Sequence, residues 1–115
     1  MTTNSQIAFN PQGETIVVAA DAVAPVGIQA LATQSPGRAG QYRFVNAGSD
    51  TVFLGTGPTA AAAQANAVAP VAGNPSPAIV LVPGAVEILR FNKDTYFSGL
   101  ATAATTVYVT PGEGL

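Results

Sequence analysis

Short segments with alternating apolar and polar residues recur along the chain, and clusters of Gly, Pro, Asn and Asp separate them. The clearest case lies in residues 40–57, where Tyr42 and Phe44 alternate with Arg43 and Val45. A cluster of Asn, Ala, Gly, Ser and Asp follows, and a second apolar run comes after it. β-branched and aromatic residues on both sides of such a cluster predict a β-hairpin, with turn side chains bonded to their own backbone.

The same signals predict further strands at 6–9, 14–20, 26–31, 78–82, 85–91, 95–100 and 105–110. Residues 14–20 form a nearly continuous apolar run, which predicts a strand buried on both faces. Pro83 and Gly84 suit a type II turn, so 78–91 is predicted to be a second hairpin, and 95–110 a third. About eight short strands at this spacing predict an all-β fold, an antiparallel β-sandwich or jelly roll.

Residues 58–77 have a different character. A proline followed by a run of alanines favours one short helix, which a group of prolines and a glycine then ends. The rest of the span has little strand character, so 58–77 is predicted to be a long excursion that serves either as a contact segment or as an ordered surface loop. The chain is expected to form a single domain, 1–115, with residues 1–5 as a flexible arm.

The charge content is the composition figure that says most about possible partners. Only 9% of the residues are charged, against about 25% in typical soluble domains. A surface with so few charges tolerates packing against other proteins, because neighbours repel it weakly. The four basic residues are scattered and the net charge is −2, so neither nucleic acid nor a membrane surface is expected as a partner. No transmembrane run or signal peptide is expected either.

The residue types available for catalysis are few. The chain has no Cys and no His, so a serine nucleophile would have only Lys93 or an amine as its base. The acidic residues form none of the paired or closely spaced groups that acid/base catalysis or a calcium loop needs. We therefore expect no enzyme activity and no cofactor, and no metal site is indicated. A calcium site made of carboxylates that meet only in the folded chain stays open.

Two further features have ordinary structural interpretations. Residues 55–60 match G-x-G-x-x-A, but no acidic residue follows about twenty positions on, as a dinucleotide site requires, so this motif is predicted to be a turn. The phenylalanines are predicted to lie in the core and the tyrosines at the rim of a sheet. Glu87 is predicted to pair across strands with Arg43 or Arg90.

Four motifs occur in order in the C-terminal half. A Pro-Gly connection at 83–84 is followed by E-I-L-R-F at 87–91, T-Y-F at 95–97 and T-V-Y-V-T-P-G-E-G at 106–114. This order resembles the small virion proteins of tailed bacteriophages. The resemblance extends over residues 41–115, and the motifs that carry it are structural rather than catalytic.

The resemblance implies a capsid decoration protein, also called a cement or staple protein. Such a protein is a small jelly roll on the exterior of the virion, made in the host bacterial cytoplasm. It binds the major capsid protein as a dimer or trimer and stabilises the capsid lattice. Extended and uncharged segments are the expected contacts, because they lose little hydration energy on burial. The candidate contact residues are Pro58, Thr59, Val68, Val71, Pro75, Pro111 and Leu115.

Two other functions remain open at this point. One is a small adaptor module of a phage tail, baseplate or fibre. The other is a carbohydrate-binding jelly roll, in which an exposed tyrosine, Tyr42, Tyr96 or Tyr108, stacks on a sugar ring. Carbohydrate sites also need convergent Asp, Asn or Arg side chains, and the sequence offers few of these.

Overall fold

A computed structural model describes residues 9–30, 40–92 and 94–113. In chain order the elements are β1 (Asn10–Pro11), β2 (Ile16–Ala20), β3 (Ile28–Gln29), β4 (Gln41–Asn46), β5 (Val52–Gly57), α1 (Ala60–Asn66), β6 (Ile79–Leu81), β7 (Val86–Arg90), β8 (Tyr96–Leu100) and β9 (Thr105–Glu113). The strands form two antiparallel sheets, which confirms the all-β sandwich and the single short helix in the described residues.

The strand order is that of a jelly roll. The first sheet has the order β1–β9–β4–β7, with β2 also paired to β9, and the second has the order β3–β8–β5–β6. The pairs β2–β9, β3–β8, β4–β7 and β5–β6 are therefore nested, as in one long hairpin rolled onto itself. The apex of this roll is the connection between β5 and β6, which carries α1.

The hairpin predictions were wrong about pairing, although the strands themselves were correct. β4, β7 and β9 lie in the first sheet, whereas β5, β6 and β8 lie in the second. Each of the three turns therefore carries the chain from one sheet to the other, and its two strands face each other across the core. A turn between two strands looks the same in a sequence in both cases, because the choice depends on how distant strands pair.

Three local predictions also need correction. β1 occupies Asn10–Pro11, between the strands predicted at 6–9 and 14–20, and most of the strand predicted at 6–9 lies outside the described residues. β9 continues through Pro111 to Glu113, beyond the strand predicted at 105–110, so residues 111–113 belong to the first sheet. β2 is buried on one face only, because Val17 leaves 47% of its surface in solvent.

The core is centred on aromatic rings from both sheets. Tyr42 and Phe44 of β4 meet Phe97 of β8 with ring centroids 4.9 and 5.4 Å apart, and both pairs pack edge to face. Phe91 completes the group at 5.8 Å from Phe97. Tyr42 was expected at a rim, but only 2% of its surface is exposed. The alternation of β4 directs Tyr42 to the same side as Phe44, and that side faces the second sheet.

One buried polar residue joins two of the crossing turns. Asn46 is fully buried, and its Nδ2 donates to the carbonyl oxygens of Asp50 at 2.9 Å and Leu81 at 2.8 Å. Its Oδ1 accepts from the amide of Gly48 at 3.0 Å. The backbone of Asn46 also bonds to Gly84 and Ala85 at the other turn. This side chain therefore links the turn after β4 to the end of β6.

The helix lies directly on the outer face of the second sheet. Thr59 caps its N-terminus, because the Thr59 side chain accepts from the amide of Ala62 at 3.1 Å. A Cβ on Gly55 would overlap the backbone of Ala63 and lie 2.8 Å from the Cα of Ala67. The predicted turn at 55–60 is thus the end of β5 and the start of the helix, with glycine at 55 to admit the helix backbone.

Replacing Asn46 with Asp should destabilise the fold by about 3 kcal/mol or more at neutral pH, since a buried carboxylate would face two carbonyl oxygens. Asn66→Asp is the matched control, because Asn66 is only partly buried and its side chain makes one bond, to the Thr56 carbonyl. We expect it to cost about 1 kcal/mol. Chemical denaturation would measure both.

The pH dependence provides a second check on Asn46→Asp. The folded state should raise the pKa of the introduced carboxyl, so the deficit relative to wild type should be smallest below about pH 4 and should grow as the pH rises. A deficit equal to that of Asn66→Asp, or independent of pH, would contradict the role assigned to Asn46.

Gly55→Ala should lower the free energy of unfolding by about 3 kcal/mol, because the added methyl group overlaps helix backbone that cannot move without losing its packing. Gly84→Ala is the comparison: a Cβ there meets nothing within 4 Å, although the φ of Gly84 is +80°. Its cost should be about 1 kcal/mol, from the left-handed conformation alone. Equal losses in thermal or denaturant unfolding would show that the helix is not held against β5.

Candidate interaction surface

An unbroken row of apolar side chains crosses the outer face of the first sheet. The register pairs Val17 with Tyr108, Tyr108 with Val45 and Val45 with Val86. Alternation along each strand turns these side chains away from the core, because their neighbours Val18, Phe44 and Val107 point into it. We call Val17, Val45, Val86 and Tyr108 the apolar row.

The apolar row is open to solvent. Tyr108 is 42% exposed and Val86 51% exposed, and Val45 between them is half-buried. The helix that covers the outer face of the second sheet has no counterpart on this face among the described elements. Single exposed valines are common on protein surfaces, but a contiguous row across four strands is typical of a binding surface.

A groove lies beside the apolar row, toward β1. It has a volume of about 470 Å³, and its lining includes Phe9, Pro11, Thr15, Thr110, Arg43 and Ile88. Thr110 and Ile88 flank Arg43 in the neighbouring strands. We call this the arginine groove. It combines one cation with hydroxyl groups and apolar walls.

The arginines on this face are not neutralised in the way the sequence predicted. Glu87 lies opposite Phe44, and alternation on β7 directs it away from the face that carries Ile88 and Arg90. Arg43 lies opposite Ile88 on that outer face. The predicted pairing of Glu87 with Arg43 or Arg90 is therefore not formed, because a strand separates the odd and even positions onto opposite faces.

A second concave site lies at one end of the sandwich. This polar cleft has a volume of about 460 Å³, and its lining includes Gln29, Thr56, Pro58, Asn92, Asp94 and Tyr96. The Gln29 side chain donates to the carbonyl oxygen of Asp94 at 2.7 Å, which joins β3 to the connection before β8. Asp94 adopts a left-handed conformation, with φ of 65°. The cleft brings together the aromatic ring of Tyr96, two side-chain amides and one carboxyl group.

The tyrosines considered for sugar stacking fall into three different environments. Tyr96 lines the polar cleft, Tyr108 belongs to the apolar row, and Tyr42 is in the core. Burial raises the pKa of the Tyr42 hydroxyl, and hydrogen bonds from the backbone of Thr95 and Asp94 partly oppose that rise. Because its ring is enclosed, Tyr42 is not available to stack on a ligand.

The excursion at 58–77 is a folded part of the surface. The Ser76 hydroxyl donates to the Val68 carbonyl, and Val71 and Asn74 exchange two backbone hydrogen bonds of 3.2 and 2.8 Å. Five of the predicted contact residues lie here with exposed side chains: Pro58, Thr59, Val68, Val71 and Pro75. Their exposure leaves them available to a partner, and Thr59 also caps the helix.

The two predicted contacts near the C-terminus have different outcomes. Pro111 is fully buried and lies opposite Tyr42 within the first sheet, so its side chain belongs to the chain's own core. Leu115 lies outside the described residues, as does the predicted arm at 1–5. A variant shortened at Thr110 would remove part of β9 rather than a tail.

Sequence patterns alone did not find the apolar row or the arginine groove. Alternation in 86–90 does separate Val86 and Ile88 from Leu89, but it does not say which set faces solvent. The continuous apolar run in β2 gave no indication that the Val17 side chain faces solvent. The row exists only because the register places residues from four distant strands side by side.

Neither a cluster of acidic metal ligands nor a membrane-spanning helix occurs in the described part of the chain. Within residues 9–30, 40–92 and 94–113, no three acidic side chains come together in a group that could hold a metal ion. No helix in the described part of the chain has the length and apolar character needed to cross a bilayer.

Comparisons of the chain with protein-family models, with curated proteins and with solved structures give no match.

Proposed function

We propose that this chain is a structural protein of a tailed-bacteriophage virion that binds the capsid exterior and stabilises the lattice. The observation that carries the proposal is the apolar row, an exposed stripe across four strands of the first sheet. A protein that clamps a lattice needs a stiff body and a surface that loses little hydration energy on burial. The motifs of residues 83–114 suggested this class of protein independently of the row.

In this proposal the protein binds and does not catalyse. Two of its serines have structural hydrogen bonds: Ser98 donates to the carbonyl oxygen of Pro25, and Ser76 donates to that of Val68. These hydroxyls tie loops to the sandwich. The partner is the major capsid protein, and the protein acts as a dimer or trimer whose symmetry matches that of the lattice site.

The polar cleft favours carbohydrate binding as a second candidate function. Tyr96 offers an aromatic surface, and Asn92, Asp94 and Gln29 offer polar groups around it. A volume of about 460 Å³ lies within the range of small-ligand sites. No separate observation favours a function as a tail, baseplate or fibre adaptor. The capsid-binding experiment below tests that function as one of its possible results.

The capsid proposal is tested with particles assembled from the major capsid protein of the genome that encodes this chain. Purified protein should bind them saturably and raise their resistance to heat. Val86→Lys should weaken binding at least about tenfold, equivalent to about 1.4 kcal/mol, because the ammonium group would lose hydration in the interface. Val23→Lys is the control, since Val23 is 80% exposed and lies outside the apolar row.

Two results would count against the capsid proposal. Absence of saturable binding by the wild-type protein would exclude the capsid, and binding to tails or baseplates instead would identify the adaptor. If Val86→Lys and Val23→Lys change the capsid affinity equally, the capsid contact does not lie on the apolar row.

The carbohydrate candidate predicts a signal on a glycan array that is lost in Tyr96→Ala, because the ring supplies the stacking surface. Asn92→Ala should weaken the same signal, and Asn92 is exposed, so this variant should fold normally. Tyr108→Ala is the matched control and should bind as the wild type does. A signal unaffected by the changes at Tyr96 and Asn92 would place sugar binding outside the polar cleft.

A further inference from the structure

We propose that the arginine groove binds a carboxylate of the partner protein, carried on an extended segment whose apolar side chain two positions away packs on the apolar row. This inference deepens the proposed function and rests on it for the identity of the partner. It states what the partner must present: an acidic side chain two positions from an apolar one in an extended segment.

The groove is built as a recess rather than a flat surface. The ring of Phe9 lies over Gly112, where an added Cβ would come within 2.7 Å of the Phe9 Cε1 atom. Phe9 and Pro11 form one wall, and Ile88 of β7 forms part of the other side. The recess has a volume of about 470 Å³, enough for one or two side chains of an extended segment.

This face carries positive charge that an anionic ligand would neutralise. Alternation places Arg43 and Arg90 on the outward side of β4 and β7, and the outward positions of β2, β4, β7 and β9 carry no carboxylate. Among the described residues, neither arginine has an ion-pair partner. A guanidinium presents a planar fork of donors that matches a carboxylate in two parallel hydrogen bonds. Apolar walls strengthen such a pair by lowering the local dielectric constant.

The hydroxyl groups of the groove add a second donor. Thr15 and Thr110 share a hydrogen bond of 2.7 Å between their Oγ1 atoms. That bond uses one of the two hydroxyl hydrogens, so the other is available to donate to a ligand. Arg43 lies opposite Thr110 in the register, which brings this hydrogen and the guanidinium to the same recess.

The surroundings favour a protein carboxylate over a nucleic-acid phosphate. Two arginines supply few phosphate contacts, and the net charge of the chain is −2. The surface beside the arginines is the apolar row, which a hydrated phosphate backbone would leave unused. A peptide segment meets both features, because alternate side chains can occupy the groove and the row.

The direct test is an NMR titration of isotope-labelled protein with two capped pentapeptides, Val-Ser-Glu-Ser-Val and Val-Ser-Gln-Ser-Val, in which the valines and the central residue share one face when the chain is extended. The Glu peptide should shift the amide signals of Thr15, Thr110 and Ile88 saturably, and the Gln peptide should bind at least about tenfold more weakly. Arg43→Gln should remove the preference for Glu, and Arg43→Lys should restore part of it, since Lys keeps the charge but lacks the planar fork. Arg43 is exposed, so both variants should fold.

Equal binding of the two peptides, no saturable shift with the Glu peptide, or an unchanged preference in Arg43→Gln would each overturn the inference. The capsid assay separates this result from the wider proposal. If wild-type protein binds capsids and Arg43→Glu binds equally well, the inference is wrong and the capsid function stands. If the Glu peptide binds as expected but capsids do not bind, the groove is a carboxylate site and the capsid function is wrong.

Discussion

A single buried amide ties together the crossing turns on which the jelly roll depends. Asn46 bonds to Asp50 in the turn after β4 and to Leu81 at the end of β6, and its backbone bonds to the turn at 84–85. These turns carry the chain from one sheet to the other. The relative position of the two sheets therefore depends on the turns keeping their conformation. A buried amide with every donor and acceptor satisfied costs little and favours this arrangement, since other pairings would leave its polar groups unbonded in the core.

A helix covers the outer face of the second sheet, whereas the outer face of the first sheet is exposed to solvent. This difference indicates where a partner binds. Glycine at position 55 lets the alanine-rich helix lie on the second sheet at backbone distance, and the Gln64 and Asn66 side chains in its C-terminal half donate to the carbonyl oxygens of Ala24 and Thr56. The first sheet keeps its apolar row and its unneutralised arginines in solvent. A small protein with few charges gains nothing for its own stability from such a face, whereas a protein that binds a larger assembly uses it.

Much of the local structure was predictable, and the functional surfaces were not. Strand alternation correctly identified β4 and β7, and the Pro83-Gly84 turn behaves as predicted: the Gly84 φ is +80° and the Ala85 amide bonds to the Val82 carbonyl at 2.9 Å. Tyr42 was misplaced because a tyrosine at a strand position suits a rim as well as a core. Pro111 was misplaced because Pro-Gly near a chain end is typical of a tail, and here β9 continues through it.

The sequence by itself determined that this chain is a low-charge, all-β protein with one short helix in its described part, because alternation, turn residues and an alanine run are local signals. The tertiary structure decided which strands pair, and therefore which side chains share a surface. Val17 and Val86 are 69 positions apart in the sequence, and they join one row only through the register of β2, β9, β4 and β7. Such contacts are decided by closure of the whole sandwich, which no local pattern encodes.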